Sequence, residues 1–337
     1  MHFNSLITTI DTHTMGEPTR VVTAGLGPIP GRDMAAKKTW FLENKDRIRR
    51  SLLWEPRGHQ DMFGAIITEP ASPKADIGVL FMDSGGYLDM CGHGSIGAVT
   101  AVLETGIVAF ARTPDPSEKT ICLDTPAGLI EARVHIREGR CQWVSIRNQP
   151  AFWHSQVRVP IQGQDVLVDV VYGGNYFGLV NAADLGLDLV PGNLPALTRT
   201  ALDLRTLLNS RLQLKQPDSQ AASEVALIEF YAEHNPPKNV VIFGSGQIDR
   251  SPCGTGTCAK MALLHHHNKL LPNQRYTQQS ILETEFYGTI VQTTQVDGRT
   301  AIVPEITGRA FITGFHHFVI DPEDPFRHGF QLYEKKP

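Results

Sequence analysis

The sequence predicts a mixed fold, α/β or α+β, built as two domains. Three observations carry that reading. Short runs rich in β-branched and aromatic residues, bounded by Gly, Pro, Asp or Asn, recur along most of the chain. A few longer segments, charged or alanine-rich, have helical character. One short cysteine-glycine pattern occurs twice, about one domain length apart, in a chain of 337 residues that suits two domains of roughly 150 residues each.

In chain order, residues 6–10 (Leu6-Ile7-Thr8-Thr9-Ile10) form the first expected strand. Residues 35–50 carry many charges and read as a surface helix. Residues 65–68 and 77–82 are β-branched, aromatic or apolar and read as strands. The alanine-rich residues 96–103 open a helix directly after a glycine-rich turn. Residues 113–118, Thr113-Pro114-Asp115-Pro116-Ser117-Glu118, are a loop by composition. A strand follows, then Thr125-Pro126-Ala127-Gly128, which reads as a crossing between the domains. Residues 194–212 read as a second surface helix, 225–230 and 240–243 as strands, and 259–266 as a helix. Periodicity leaves the order of strands in the sheets open.

Composition narrows the partners. The chain is 41% hydrophobic and 20% charged, with a formal net charge of −4. Lys and Arg are scattered, which argues against nucleic acid or an anionic membrane surface and favours a small molecule. No apolar run approaches the roughly 18 residues of a membrane helix. Met1-His2-Phe3-Asn4-Ser5 lacks the basic start of a secretion signal. The five cysteines are odd in number and widely spaced, unlike a disulfide framework. Free thiols in a cytoplasmic protein are expected.

The repeated pattern is where chemistry enters. Met90-Cys91-Gly92-His93-Gly94-Ser95 and Pro252-Cys253-Gly254-Thr255-Gly256-Thr257 share the frame Cys-Gly-x-Gly-[Ser/Thr]. Each follows a strand and opens a helix. The first amides of a helix have no intrahelical acceptor and carry the positive end of its dipole. Glycines let the backbone close on a ligand, so such a turn suits a carboxylate or a phosphate. A cysteine at that position is expected to have its pKa drawn down toward working pH. Two such cysteines suggest stereoinversion at a carbon, with one group removing a proton from one face and the other returning one to the opposite face. Charge building on the substrate's carboxylate would be met by the helix starts. The two thiols would titrate as a coupled pair.

Plainer readings apply elsewhere. A lone cysteine is usually a small buried hydrophobe, which is how Cys122, Cys141 and Cys258 are read. A redox dithiol normally uses Cys-x-x-Cys spacing, which neither framed cysteine has. The run His265-His266-His267 points in different directions on a helix and reads as a solvated helix end, not a metal site. Glu283-Thr284-Glu285 reads as a solvated strand face, and Gly173-Gly174-Asn175-Tyr176-Phe177 as a turn.

The stretches Asp83-Ser84-Gly85-Gly86-Tyr87-Leu88-Asp89-Met90-Cys91-Gly92-His93-Gly94 and Asp249-Arg250-Ser251-Pro252-Cys253-Gly254-Thr255-Gly256-Thr257 closely resemble the two signatures of the proline racemase family. That family includes 4-hydroxyproline 2-epimerases and trans-3-hydroxyproline dehydratases. The likeness runs from Asp11-Thr12-His13-Thr14-Met15-Gly16-Glu17-Pro18-Thr19-Arg20 and Glu55-Pro56-Arg57-Gly58-His59 to Ile306-Thr307-Gly308 and Gly314-Phe315-His316-His317-Phe318. It implies a diaminopimelate-epimerase-like fold of two similar lobes, each wrapping strands around a central helix, with the active site in the cleft between them. The lobes are expected over residues 1–127 with 305–337, carrying Cys91, and over 128–304, carrying Cys253. The resemblance implies no metal, no cofactor and a homodimer. Carried over by position, Cys91 and Cys253 are the acid/base residues. Gly92, His93, Gly254 and Thr255 hold the substrate carboxylate, and Asp249 accepts from its ammonium nitrogen. His13, Glu17 and His59 receive no role.

Within the family, the dehydratases usually have threonine where this chain has Cys253, which counts against that activity. A bare pyrrolidine ring wants apolar walls, whereas a ring hydroxyl needs a polar partner. The positions that resemble ring neighbours hold Phe63 and Phe243, and Leu227 stands where hydroxyproline epimerases tend to carry histidine. The expectation is racemisation of free proline. The alternatives are 4-hydroxyproline 2-epimerase, then trans-3-hydroxyproline dehydratase, and outside catalysis an amino-acid-binding protein on the same fold.

Overall fold

The computed structural model describes residues 5–107, 117–161, 163–217 and 221–332. Residues 113–116 of the loop expected over 113–118, and the first four of the five residues weighed as a leader, lie outside them. The chain divides into two compact units, Met1–Ile146 with Gly308–Pro337, and Arg147–Thr307. The turn at residues 125–128, read as a domain crossing, is a hairpin inside the first unit. Thr125 pairs with Gly128 as strand Glu118–Thr125 turns into Gly128–Arg137, and Arg140–Arg147 continues the same meander. Gly128 turns the corner at φ +106, where a side chain would be strained.

In the first unit, strand Ser5–Thr14 lies antiparallel to both Glu17–Ala24 and Ala310–Ile320. Glu17–Ala24 runs parallel to Phe63–Thr68, which is antiparallel to Ile77–Asp83. Ile77–Asp83 is in turn parallel to Glu118–Thr125. Parallel neighbours need a crossover connection, and each crossover here carries a helix. Helix α1, Met34–Leu53, makes the first and helix α2, Gly92–Glu104, the second.

The first-unit helices differ in burial. Asp33 caps α1, its carboxylate accepting from the Ala36 amide over 2.7 Å. The sequence charges made α1 look like a surface helix, yet its apolar stripe is fully committed. Met34, Phe41, Leu52 and Leu53 join Ile7, Val22, Ile66, Leu80 and Met82 in one core, each large side chain contributing about 1.5–3 kcal/mol. Helix α2 is buried almost throughout and packs on strands Ser5–Thr14, Glu17–Ala24 and Ala310–Ile320. Its small residues allow that. A Cβ on Gly97 would fall 2.7 Å from Thr12 Oγ1.

The second unit repeats the pattern in other residues. Strands Phe152–Ile161, Gln164–Tyr172 and Tyr176–Asn181 form an antiparallel run. Tyr176–Asn181 is parallel to Val225–Ala232, which is antiparallel to Lys238–Phe243. Lys238–Phe243 is parallel to Arg275–Ser280, and Glu285–Val296 and Arg299–Gly308 complete the meander. Helix α3, Leu194–Asn209, fills the first crossover and helix α4, Gly254–His266, the second. Leu197, Ala201, Leu204 and Leu208 of α3 enter a core with Val168, Ile228, Phe230 and Ile242. Like α2, α4 is the buried helix, packed on Phe152–Ile161, Gln164–Tyr172 and Glu285–Val296. The short motif echo is therefore one visible trace of a whole-unit repetition. No helix among the described residues is long and apolar enough to cross a membrane.

Candidate active site

Each buried helix begins immediately after a cysteine that serves as its N-cap. At α2, Cys91 has extended angles (φ −147, ψ 126), and its Sγ accepts the Gly94 amide over 3.3 Å. The Ser95 hydroxyl returns to the Cys91 carbonyl over 2.7 Å. His93 lies against the sulfur, its Nδ1 at 3.3 Å. The His93 ring meets the edge of Phe63 at 4.5 Å between centroids, and its carbonyl accepts from the Thr14 hydroxyl over 2.9 Å. Three of the expected site residues, Cys91, His93 and Phe63, thus form one contact group.

At α4, Cys253 takes the cap with φ +59 and ψ 112, in the sparsely allowed region where a non-glycine residue is strained. Its Sγ accepts the Gly256 amide over 3.4 Å and lies 3.7 Å from the Thr255 hydroxyl. The strained turn is held from behind. Asp249 Oδ1 accepts from both the amide (2.8 Å) and the hydroxyl (2.7 Å) of Ser251, whose Oγ accepts the Cys253 amide over 3.1 Å. Asn239 donates to the Pro252 carbonyl over 2.9 Å. Asp249, expected to meet a substrate nitrogen, is seen here as a brace of the Cys253 turn. Phe243 ends its strand, half-buried, at the hairpin that leads to Asp249.

Gly92 and Gly254, the expected carboxylate holders, are the first helical residues, but the second glycine of each frame is the one that meets sulfur. Gly94 and Gly256 supply the amides that reach sulfur, and a side chain at either would crowd its neighbours. A Cβ on Gly94 would sit 3.0 Å from Phe63 Cε1 and 3.3 Å from Cys91 Sγ; on Gly256 it would sit 2.7 Å from Glu229 Oε2. The regular Gly-x-Gly spacing held that signal. Gly173 shows a different omission. Read as a simple turn, it brings its backbone against the first turn of α4, where a Cβ would fall 2.5 Å from the Thr255 carbonyl oxygen.

The electrostatics at Cys253 overturn one expectation. Burial pushes its thiol well above the ordinary value, and the Asp249 and Glu229 carboxyls add to the rise. The Gly256 amide and Thr255 hydroxyl oppose it without prevailing. A helix start favours the thiolate, but here desolvation and two nearby acids win.

The other three thiols are raised as well. Cys258 accepts from Asn148 over 3.2 Å and burial pushes it up to about 12; Cys141 accepts from Thr100 and is pushed up to about 11. Cys122 is raised by burial and by neighbouring acids. All five cysteines are free thiols. Among the described residues, no group of three or more His, Cys, Asp or Glu is arranged to hold a metal ion. His265 bonds the Leu270 carbonyl and His266 stacks on Trp153 at 4.1 Å, so two of the three consecutive histidines are spent on packing.

The stretches near the start that carry the family resemblance do local work. Arg20 grips the Asp11 carboxylate at 2.8 Å and donates to the Leu52 and Arg57 carbonyls, tying the residue 11–20 and 55–59 segments together. His13 accepts the Gly16 amide and stacks on Phe311.

A family model described as proline racemase matches residues 9–331. The chain is 46% identical to a proline racemase of Clostridioides difficile, across 98% of this chain and all of that protein. It is 38% identical to a 4-hydroxyproline 2-epimerase of Streptosporangium roseum, across 96% of this chain and 97% of that one. A crystal structure of a hydroxyproline epimerase from Agrobacterium vitis with bound trans-4-hydroxy-L-proline superposes with a TM-score of 0.89 at 31% identity, covering 98% of this chain and 96% of that one. The repeated unit described above is the diaminopimelate-epimerase-like fold.

Proposed function

Because this chain belongs to the proline racemase family, we propose that it racemises free proline with Cys91 and Cys253 as its paired base and acid, without a cofactor. One observation carries the reading. Both units cap their buried central helix with a cysteine whose sulfur is held by the amide three residues on.

In this reading both thiols serve one substrate molecule. The α-proton of proline leaves to a thiolate on one face, and a thiol on the other face returns a proton to the same carbon. Electron density from the broken C–H bond moves into the carboxylate. The helix-start amides of Gly92, His93, Gly254 and Thr255 stabilise that charge, and Asp249 orients the ring nitrogen. Burial raises the Cys253 thiol, which suits it to carry the proton when the other sulfur acts as the base. Cys91 then begins as the base for one enantiomer, and each turnover leaves the pair reversed.

Proline is favoured over hydroxyproline by the apolar character of Phe63, Phe243 and Leu227. Phe63 is buried against His93, and a ring hydroxyl gains no partner from any of the three. The reading includes a homodimer and a cytoplasmic setting, which keeps the thiols reduced.

The test is polarimetry of L-proline with no added cofactor. Rotation decays to zero, and product formed in heavy water carries deuterium at the α-carbon. Mirror symmetry requires kcat/KM to be equal for the two enantiomers of proline, a constraint that does not bind an epimerase acting on diastereomers. Retained rotation alongside rapid turnover of 4-hydroxyproline would replace this reading with the epimerase.

A further inference from the structure

Behind the Cys253 turn lies a carboxyl group that the proposed mechanism does not use. Glu229, on strand Val225–Ala232, has no exposed surface. Its Oε1 accepts from Asn239 over 3.0 Å, and the same Asn239 amide group holds the Pro252 carbonyl. Its Oε2 has no hydrogen-bond partner among the described residues. That oxygen is aimed at the first turn of α4, so close to Gly256 that a Cβ there would approach it to 2.7 Å. Gly256 donates its own amide to Cys253 Sγ. The glycine is thus flanked by the sulfur and by a buried, half-satisfied acid.

A helix start offers one region of positive potential, and both groups border it. Resting on the assignment of Cys253 as an acid/base residue, we propose that Glu229 is a positioning residue for Cys253. The carboxyl and the sulfur compete for the positive end of α4, so the Cys253 thiolate forms less readily once Glu229 is ionised.

The surroundings fit that role. Burial pushes Glu229 up to about 8, with Asn239 and Lys260 opposing the rise and Asp249 adding to it. Lys260, the cation facing Glu229 from α4, is itself buried over the Tyr231 ring, and burial lowers it to about 8. The remaining titratable neighbours are Cys258 on α4, Tyr276 on Arg275–Ser280 and Tyr231 on Glu229's own strand, and burial keeps all three neutral at working pH. Near neutral pH Glu229 therefore carries its proton and leaves room for a thiolate. As pH rises through about 8 it ionises and moves the Cys253 thiolate to higher pH.

The experiment is an ultraviolet titration of thiolate absorbance that needs no substrate. The difference between the native chain and C253S isolates Cys253, and the difference between E229Q and E229Q/C253S isolates it without the acid. The Cys253 midpoint should move to lower pH in E229Q. In E229D, where the shorter acid retracts from Gly256, it should move the same way by less. Whichever variant folds, by circular dichroism, decides the matter. An unmoved midpoint overturns the proposal whatever the activity. A moved midpoint in a chain that fails to racemise proline keeps the coupling and removes the functional reading. If the chain is active, the alkaline fall in kcat/KM should weaken in E229Q.

Discussion

Gly256 gives its amide to the sulfur of Cys253 over 3.4 Å, and Gly94 does the same for Cys91 over 3.3 Å. Two thiols in separate units are held by the same local device, which makes each the N-cap of its helix. The consequences reach catalysis, stability and pH response.

Replacing either cysteine by serine should abolish racemisation while sparing the fold. Serine is a good N-cap and keeps the contact with the third amide, but its hydroxyl is far too weakly acidic to exchange the proton. A positioned acid/base group contributes about 10²–10⁴-fold, and that loss is expected in kcat for C91S and for C253S alike. Polarimetry with circular dichroism on the same samples checks both halves. Near-native turnover in either variant would remove that cysteine from the mechanism.

Gly256→Ala should destabilise more than Gly94→Ala. The new methyl at 256 meets Glu229 Oε2 at 2.7 Å and Cys253 Cβ at 3.1 Å, whereas at 94 the tightest contact is 3.0 Å to the Phe63 ring. Overpacking of this kind costs about 1–3 kcal/mol. Urea denaturation gives the order; equal midpoints would mean that the α4 start yields more easily than its contacts suggest.

Stability should fall as pH rises between the usual carboxylate value and about 8. Glu229 keeps its proton in the folded chain up to about 8, while the unfolded chain gives it up near the ordinary value. Over that window the folded state binds more protons, so raising pH favours unfolding. Lys260 acts oppositely above about 8, where the unfolded chain holds the extra proton and stability recovers. Urea unfolding across a pH series should show the decline in the native chain and a flatter profile in Glu229→Gln.

Leu227→His should move specificity toward 4-hydroxyproline. Leu227 is half-buried on strand Val225–Ala232 and offers a ring hydroxyl no partner. One added hydrogen bond is worth about 1 kcal/mol, roughly a fivefold rise in the kcat/KM ratio of hydroxyproline to proline. An unchanged ratio would place residue 227 away from the substrate ring.

Much of this was legible in the chain itself. Local chemistry gave the strands, because β-branched runs between turn residues need no distant partner to be read. The Cys-Gly-x-Gly frames also spoke directly, since a cap, two glycines and a hydroxyl residue describe a helix start wherever they occur. Helix ends were read short by several residues at α2 and α4, because their first turns are glycines whose helical state depends on the cap and on burial.

Tertiary structure decided the rest. Pairing of Thr125 with Gly128 turned an expected crossing into a hairpin, since only the neighbouring strand distinguishes the two. Desolvation reversed the expected pKa of Cys253, because burial is a property of everything packed around a residue and not of its neighbours in sequence. Glu229 stands 24 positions before the cysteine it borders, on a strand that reads as ordinary core. Local pattern specifies a residue's backbone and chemistry; the dielectric and the charges it meets are set by segments brought together only when the chain folds.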